Sequence, residues 1–233
     1  MGHGSIRIFV GARLAAGSSV AATAEQAHYL LRVMRRRDGE RVALFNGTDG
    51  EWAAALATEG RSLRFAVRER LRTQAPDADL WLAFGLLKRD ATDLVVRQAT
   101  ELGVARICPV LARRSQGERV NLERLRAIAI EAAEQCERLT LPAIDAPEPL
   151  AALLAAWPRG RRLVALLERA PAAGIRPAAG AAGLLVGPEG GFAPEEIAEL
   201  RCHDFIDPAS LGPRILRAET AAIAGLAQMQ AGI

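Results

Sequence analysis

The chain has 233 residues, half of them hydrophobic and 24% charged, with a formal net charge of +3. This is enough apolar material to pack a small domain and a larger one, and it is not the composition of a disordered chain. No run approaches the roughly 20 apolar residues that cross a bilayer, and no basic-then-apolar leader opens the sequence, so a cytoplasmic protein without a membrane partner is predicted.

Three cysteines, Cys108, Cys136 and Cys202, are widely spaced and form no Cys-x-x-Cys pair. Neither a disulfide framework nor a zinc knuckle is expected from them, and buried free thiols without a metal are predicted. The charge is uneven along the chain. Residues 1–72 carry 12 basic and 7 acidic side chains, and the remainder carries 18 and 20, so the positive excess lies in the first third. Every basic residue but Lys88 is arginine. The flat, weakly hydrated guanidinium suits phosphates and base faces, which points towards a nucleic-acid partner without requiring one.

In chain order, Ile6 to Val10 reads as a β-branched and aromatic strand. Thr23 and Gln26 form a capping-box pattern before Ala27, Leu30, Leu31 and Met34 at helical spacing, predicting one helix that ends in Arg35-Arg36-Arg37. Arg41 to Phe45, the turn Asn46-Gly47-Thr48-Asp49-Gly50, Glu51 to Ala57 and the alternating Leu63, Phe65, Val67 predict a β-meander. A small, mostly β domain over residues 1–72 and a linker over 73–79, marked by Pro76, follow from this. Beyond it, strand-like runs alternate with amphipathic ones. They are Leu80 to Leu87, the helix Ala91 to Leu102, Arg106 to Leu111, a helix from Asn121 to about Arg138, the helix Pro149 to Trp157, and the runs Leu163 to Leu167, Gly183 to Val186 and Phe205 to Ile206. Such alternation predicts an α/β domain over residues 80–233, with a parallel sheet and helices on its faces.

Two loops of that domain carry the chemistry. In the first, the buried strand ending at Val186 runs into Gly187-Pro188-Glu189-Gly190-Gly191, at the strand end where open α/β sheets bind ligands. Glycines let main-chain groups approach a ligand closely. The Lys-Ser/Thr of a P-loop and the Gly-x-Gly-x-x-Gly fingerprint are both missing, and Glu189 would repel a polyphosphate, so a neutral or cationic ligand fits better. A plain tight turn is the other reading. In the second loop, Leu211-Gly212-Pro213-Arg214-Ile215-Leu216 leads into a terminal helix that starts with Arg217 and Glu219. Glu219 is also explained as a helix-terminus charge with Arg217 as its surface partner.

At these residues the sequence resembles the RsmE family, bacterial 16S ribosomal RNA uracil-N3 methyltransferases of the SPOUT class. The likeness runs through Arg7-Ile-Phe-Val, His28-Tyr-Leu-Leu-Arg-Val, Leu44-Phe-Asn-Gly, Leu87-Lys-Arg-Asp, Gln98-Ala-Thr-Glu-Leu-Gly-Val and Ala133-Glu-Gln-Cys. It is strongest at Gly187-Pro-Glu-Gly-Gly and Leu211-Gly-Pro-Arg-Ile-Leu-Arg-Ala-Glu-Thr.

The resemblance implies a PUA-like β-barrel RNA-binding domain, then an α/β methyltransferase domain with a C-terminal trefoil knot, a homodimer, and S-adenosylmethionine as cofactor. By the same likeness the cofactor is lined by Leu166 and Leu167, by Gly187, Pro188, Glu189, Gly190 and Gly191, and by Leu211, Gly212, Ile215 and Leu216. Two departures stand out. Ala193 replaces a frequent helix-capping serine, and Glu137 and Leu139 stand where glycine and a polar residue are usual.

Methyl transfer to a uracil imide nitrogen needs its proton removed and the charge on the neighbouring oxygens stabilised. Arg217 is expected to face those oxygens, with Glu219 or Glu134 as proton acceptor and Glu189 as a weaker candidate. Attack at nitrogen needs no cysteine nucleophile, so Cys136 is expected to pack, and His28 is read as structural. Arg35, Arg36, Arg37, Lys88, Arg89, Arg113 and Arg114 are the expected phosphate partners, in ribosomal RNA or a small ribosomal subunit, against the alternative that they are simply solvated. Other readings are a related knotted methyltransferase acting on a ribose hydroxyl or on tRNA, and a non-catalytic RNA-binding or ribosome-assembly module.

Overall fold

A computed structural model describes residues 6–60, 62–167, 174–178 and 180–231. Met1 to Ser5, His3 among them, lie outside the described residues. The chain divides into two compact units, one running to Pro76 and adding Ala133–Leu141, the other comprising Asp77–Ala132 and Pro142 onward.

The first unit is a five-stranded curled sheet in the order β1-β3-β4-β5-β2. Its strands are β1 (Arg7–Phe9), β2 (Ser19–Ala21), β3 (Arg41–Phe45), β4 (Glu51–Glu59) and β5 (Ser62–Arg72). The meander β3-β4-β5 is antiparallel, β1 pairs parallel with β3, and β2 pairs antiparallel with β5. The turn between β3 and β4 closes on the Asn46 side chain, whose Oδ1 accepts from the amides of Thr48 and Asp49 at 3.0 and 2.8 Å. Alternate residues of the strands, among them Ile8, Leu44, Leu56, Phe65 and Val67, point into one core.

The expected capping box forms. Gln26 N–H donates to Thr23 Oγ1 at 3.2 Å, and Thr23 N–H donates to Gln26 Oε1 at 3.0 Å. The helix it starts does not run to the arginines. It is α1 (Ala24–His28), then a π-helical turn over Tyr29–Val33 that closes with Met34 N–H on Tyr29 O at 2.9 Å. Arg35 follows with φ +53°, and its left-handed backbone cannot continue a helix. Only Leu30 of the π-helical turn is buried. Leu31 packs part-buried against the same core, and His28, read as structural, is exposed.

The second unit carries a sheet in the order β12-β10-β11-β6-β7-β8, with β9 also on β7. Its elements are β6 (Leu80–Gly85), α2 (Arg89–Glu101), β7 (Arg106–Leu111), α3 (Leu122–Gln135), the two-residue strands β8 (Ala143–Ile144) and β9 (Glu148–Pro149), and α4 (Leu150–Ala156). They continue with β10 (Arg162–Leu166), β11 (Ala182–Val186), α5 (Pro194–Arg201), β12 (Ile206–Ala209) and α6 (Ala218–Gln230). All the pairings are parallel. The sheet is covered on both faces. Val95, Val96 and Ala99 of α2 and Ala222, Leu226 and Met229 of α6 pack on one side, and Leu150, Leu153, Leu154, Trp157 and Leu200 pack on the other. That double burial is why β11 reads as an unbroken apolar run instead of an alternating one. Among the described residues no helix is long and apolar enough to cross a membrane. Cys108 is buried as predicted, but Cys136 and Cys202 are exposed.

The last turn of α3 and the loop after it belong to the first unit, held by a clasp of buried charge. Arg7 Nη1 donates to Ala133 O at 2.5 Å and Glu134 O at 3.0 Å, and Nη2 donates to Arg138 O at 2.9 Å. A guanidinium at a helix C-terminus meets the negative end of the macrodipole. Its Nε donates to Glu51 Oε1 at 2.6 Å, while Arg72 Nε donates to Glu51 Oε2 at 2.7 Å and Arg72 Nη2 to Glu137 O at 2.7 Å. The side chains of Arg7 and Glu51 are only 7% and 9% exposed.

Candidate cofactor site

Strands β10, β11 and β12 end level with one another, since Leu166 pairs with Val186 on one side and with Ala209 on the other. These three residues and the loops that follow them wall a single cavity of about 610 Å³. The loops are Leu167, residues 187–192 and Ser210 to Leu216, and Ala218 and Ala221 of α6 add to the wall. The position, beyond the carboxyl ends of adjacent parallel strands, is where α/β sheets characteristically take ligands. All eleven residues expected at the cofactor line this cavity, so the two glycine loops lie together.

The packing explains the glycines. A Cβ on Gly85, at the end of β6, would sit 2.4 Å from Pro188 Cδ and 2.5 Å from Pro188 N, so the first loop lies directly on that backbone. On Gly190 a Cβ would sit 3.2 Å from Arg114 Cβ, and Arg114 Nη1 donates to Gly190 O at 2.9 Å. Within the loop Gly191 N–H donates to Pro188 O at 2.8 Å. In the second loop, among the described residues, the amides of Arg214, Ile215 and Leu216 donate to no protein acceptor, which leaves them available to a ligand. Ile215 is 61% exposed. An apolar wall with main-chain donors and, among the described residues, one carboxylate, Glu189, fits an adenosine joined to a sulfonium. Among the described residues, Arg114 and Arg214 are the cationic side chains that line it.

Helix α5 begins at the floor of the first loop. Ala193 cannot cap it with a side chain, and Glu196 substitutes in part. Its Oε2 accepts from Ala193 N–H at 2.7 Å and its Oε1 from Arg113 N–H at 2.8 Å. The buried Glu196 carboxylate thus ties the residue after the glycine loop to the segment following β7.

The expected catalytic trio is not gathered in the cavity. Arg217 is the exposed N-cap of α6, between the lining residues Leu216 and Ala218, and among the described residues it makes no ion pair. Glu219 is half-buried in the first turn of α6. Glu134 belongs to the first unit, where its Oε1 accepts from Phe9 N–H at 2.8 Å. Of the expected phosphate partners, Arg114 lines the cavity, Lys88 and Arg89 line a second one, Arg113 pairs with Glu195 at 3.7 Å, and Arg36 pairs with Glu40 at 3.5 Å. Arg35 and Arg37 are exposed beyond the π-helical turn. Sequence reasoning missed Phe192, Ile197 and Ser210 as lining residues. The signal for Ser210 was its place directly after the β12 run.

Residues 73–230 match the RNA methyltransferase domain family, and residues 22–63 match the RNA methyltransferase PUA domain family. The ribosomal RNA small subunit methyltransferase E of Rickettsia conorii is 35% identical, over 96% of this chain and 94% of that protein. The chain belongs to this methyltransferase family. The Synechocystis member is 34% identical over 92% of this chain and 73% of its own length. Among solved structures, the Neisseria gonorrhoeae ribosomal RNA small subunit methyltransferase E bound to S-adenosyl methionine superposes with a TM-score of 0.84, at 28% identity and 97% coverage of both chains. A putative methyltransferase of Legionella pneumophila in complex with the same cofactor gives 0.83 at 28% identity, again over 97% of both chains. These likenesses agree with the PUA-like sheet and the parallel α/β unit described above.

Proposed function

We propose that the chain is an S-adenosylmethionine-dependent methyltransferase that modifies N3 of a uridine in 16S ribosomal RNA. The observation that carries the reading is the convergence of both glycine loops on one cavity at the ends of three parallel strands, with amides unclaimed by the protein. The relatives named above for ribosomal RNA methylation, two of the structures holding S-adenosylmethionine, support it.

Main-chain donors of Arg214 to Leu216 and the apolar edges of Leu166, Leu167 and Ile215 would hold the adenosine, and the bound cofactor supplies an electrophilic methyl on a sulfonium. The protein's remaining work is alignment and charge control. Glu189 is the one carboxylate that lines the cavity among the described residues, and it would complement a cation. Arg217, at the start of α6 and without an ion pair among the described residues, would meet negative charge growing on the uracil oxygens. Glu219, one residue beyond Ala218, takes the imide proton; Glu134 is the lesser candidate, since one of its oxygens is already engaged by Phe9. Homodimerisation, a trefoil knot in the C-terminal loops and action in the cytoplasm belong to the same reading.

Under-methylated small-subunit particles incubated with labelled cofactor, followed by mass mapping, test the reaction directly. Label at N3 of one uridine is expected, and label on a ribose or on tRNA would replace this substrate with another. Arg217→Ala is expected to lower kcat about 100-fold, the scale of losing one donor to developing charge. A wild-type rate with normal cofactor binding would remove Arg217 from the mechanism.

A further inference from the structure

The second unit contains another cavity, of about 390 Å³, that the cofactor loops do not line. Its floor is apolar, made by Leu86, Leu87 and Leu125, and its rim carries Lys88, Arg89, Arg119 and Arg124. Among the described residues no aspartate or glutamate lines it. Arg124 is neutralised by an ion pair with Asp93. Lys88, Arg89 and Arg119 are exposed, and among the described residues none of their side chains has a carboxylate partner. Three uncompensated cations around a concavity create a local positive potential that binding an anion would relieve.

The backbone adds to it. Lys88 is the N-cap of the 13-residue helix α2, and its own side chain makes no capping hydrogen bond. The first amides of α2 therefore have no intrahelical acceptor, and the positive end of its dipole opens onto the same cavity. Asn121 caps α3 from the other side, with its Oδ1 accepting from Arg124 N–H at 3.0 Å. Lys88 N–H in turn approaches Glu189 Oε1 of the glycine loop at 3.4 Å, so one residue joins the basic cavity to the rim of the cofactor cavity.

We infer that this cavity seats a backbone phosphodiester of the RNA strand near the nucleotide to be methylated, with Lys88, Arg89 and Arg119 as its cationic ligands. The inference rests on the methyltransferase reading and sharpens it. Phosphate contacts fix register without reading sequence, which is what a strand needs when a single base must meet a methyl donor. The volume lies at the small end of the roughly 300–1,000 Å³ of ligand pockets, which suits one nucleotide-sized group.

The test uses the full chain and the RNA that the wild type methylates. Lys88→Ala and Arg119→Ala are each expected to raise the KM for RNA about fivefold to tenfold while leaving the dissociation constant of S-adenosylmethionine unchanged. Each is also expected to flatten the dependence of log affinity on log salt by about 0.7 to 0.9, the share of one phosphate contact. Arg97→Ala, an exposed arginine farther along α2, is the control and should change neither. Unaltered KM and salt slope in folded Lys88→Ala and Arg119→Ala would overturn the inference while leaving the methyltransferase reading intact. Absence of methylation of any RNA by the wild type would instead overturn that reading. Pyrophosphate and a mononucleotide provide the second arm. Competition with RNA that is weakened in Arg119→Ala supports a strand phosphate, and tight binding that RNA does not compete with assigns the cavity to a free nucleotide and overturns the RNA claim.

Discussion

The cavity at the ends of β10, β11 and β12 is walled by main chain and apolar side chains, whereas the clasp around Arg7 in the first unit is made almost wholly of buried charge. The cavity leaves amides open and tolerates an exposed Ile215, as a surface awaiting a ligand can. The centre of the clasp is closed, because the buried Glu51 receives both Arg7 and the half-exposed Arg72, and Arg7 also serves three carbonyls. Binding sites built from backbone are sensitive to added atoms, and structural networks built from ions are sensitive to removed ones. The contrast predicts opposite responses to mutation.

The largest effect is expected from removing one ion of the clasp. Arg7→Met leaves Glu51 partly uncompensated and takes the guanidinium from three carbonyls, and it should cost about 3–5 kcal/mol in denaturant unfolding. A loss below 1 kcal/mol would mean that water replaces the guanidinium without penalty and that the clasp is not structural. Adding one carbon at the cavity comes next. Gly85→Ala should weaken S-adenosylmethionine binding at least tenfold by calorimetry, about 1.4 kcal/mol, because the new Cβ displaces Pro188. Unchanged affinity would show that the first glycine loop moves freely on β6.

Cysteine chemistry sharpens the difference between buried and open positions. Burial, then the nearby Asp145 carboxylate, push the Cys108 thiol up to about 12. It stays protonated at pH 8.5, so iodoacetamide should modify two sites in the native protein, Cys136 and Cys202, and three after denaturation. Because an unfolded thiol ionises near pH 9, the neutral Cys108 contributes stability below that pH that declines as pH rises from there towards 12. The smallest effect concerns backbone strain in the clasp loop. Glu137 sits at φ +61°, a left-handed conformation that costs a side-chain-bearing residue roughly 1 kcal/mol, and its own contact there is through a main-chain carbonyl. Glu137→Gly should gain about 0.5–1 kcal/mol. A loss would show that the Glu137 side chain contributes something beyond its backbone.

The sequence was informative where one local rule sufficed. The capping box at Thr23, the turn at Asn46 and the apolar runs of β6, β7 and β11 needed only period and turn chemistry. The helix continuing to Arg37 failed because the chain passes through a π-helical turn at Tyr29–Val33 and Arg35 then turns left-handed, which no residue period encodes. Cys136 and Cys202 failed because an apolar residue type says where a side chain is comfortable, and packing decides where it goes.

By itself the sequence determined the element types, the parallel α/β character of the second unit and the two glycine loops, because these depend on residues close together in the chain. The family motifs lay in the same stretches. Only the tertiary structure decided that the loops after β11 and β12 face one another, since strand order is set by crossovers that no local spacing encodes. It also decided that residues 133–141 return to the first unit, and that Lys88, Arg89 and Arg119 share a cavity although some thirty residues separate them. Charges and carbonyls far apart in sequence find one another only when the fold has fixed their distance, and their interaction energy depends on that distance and on burial.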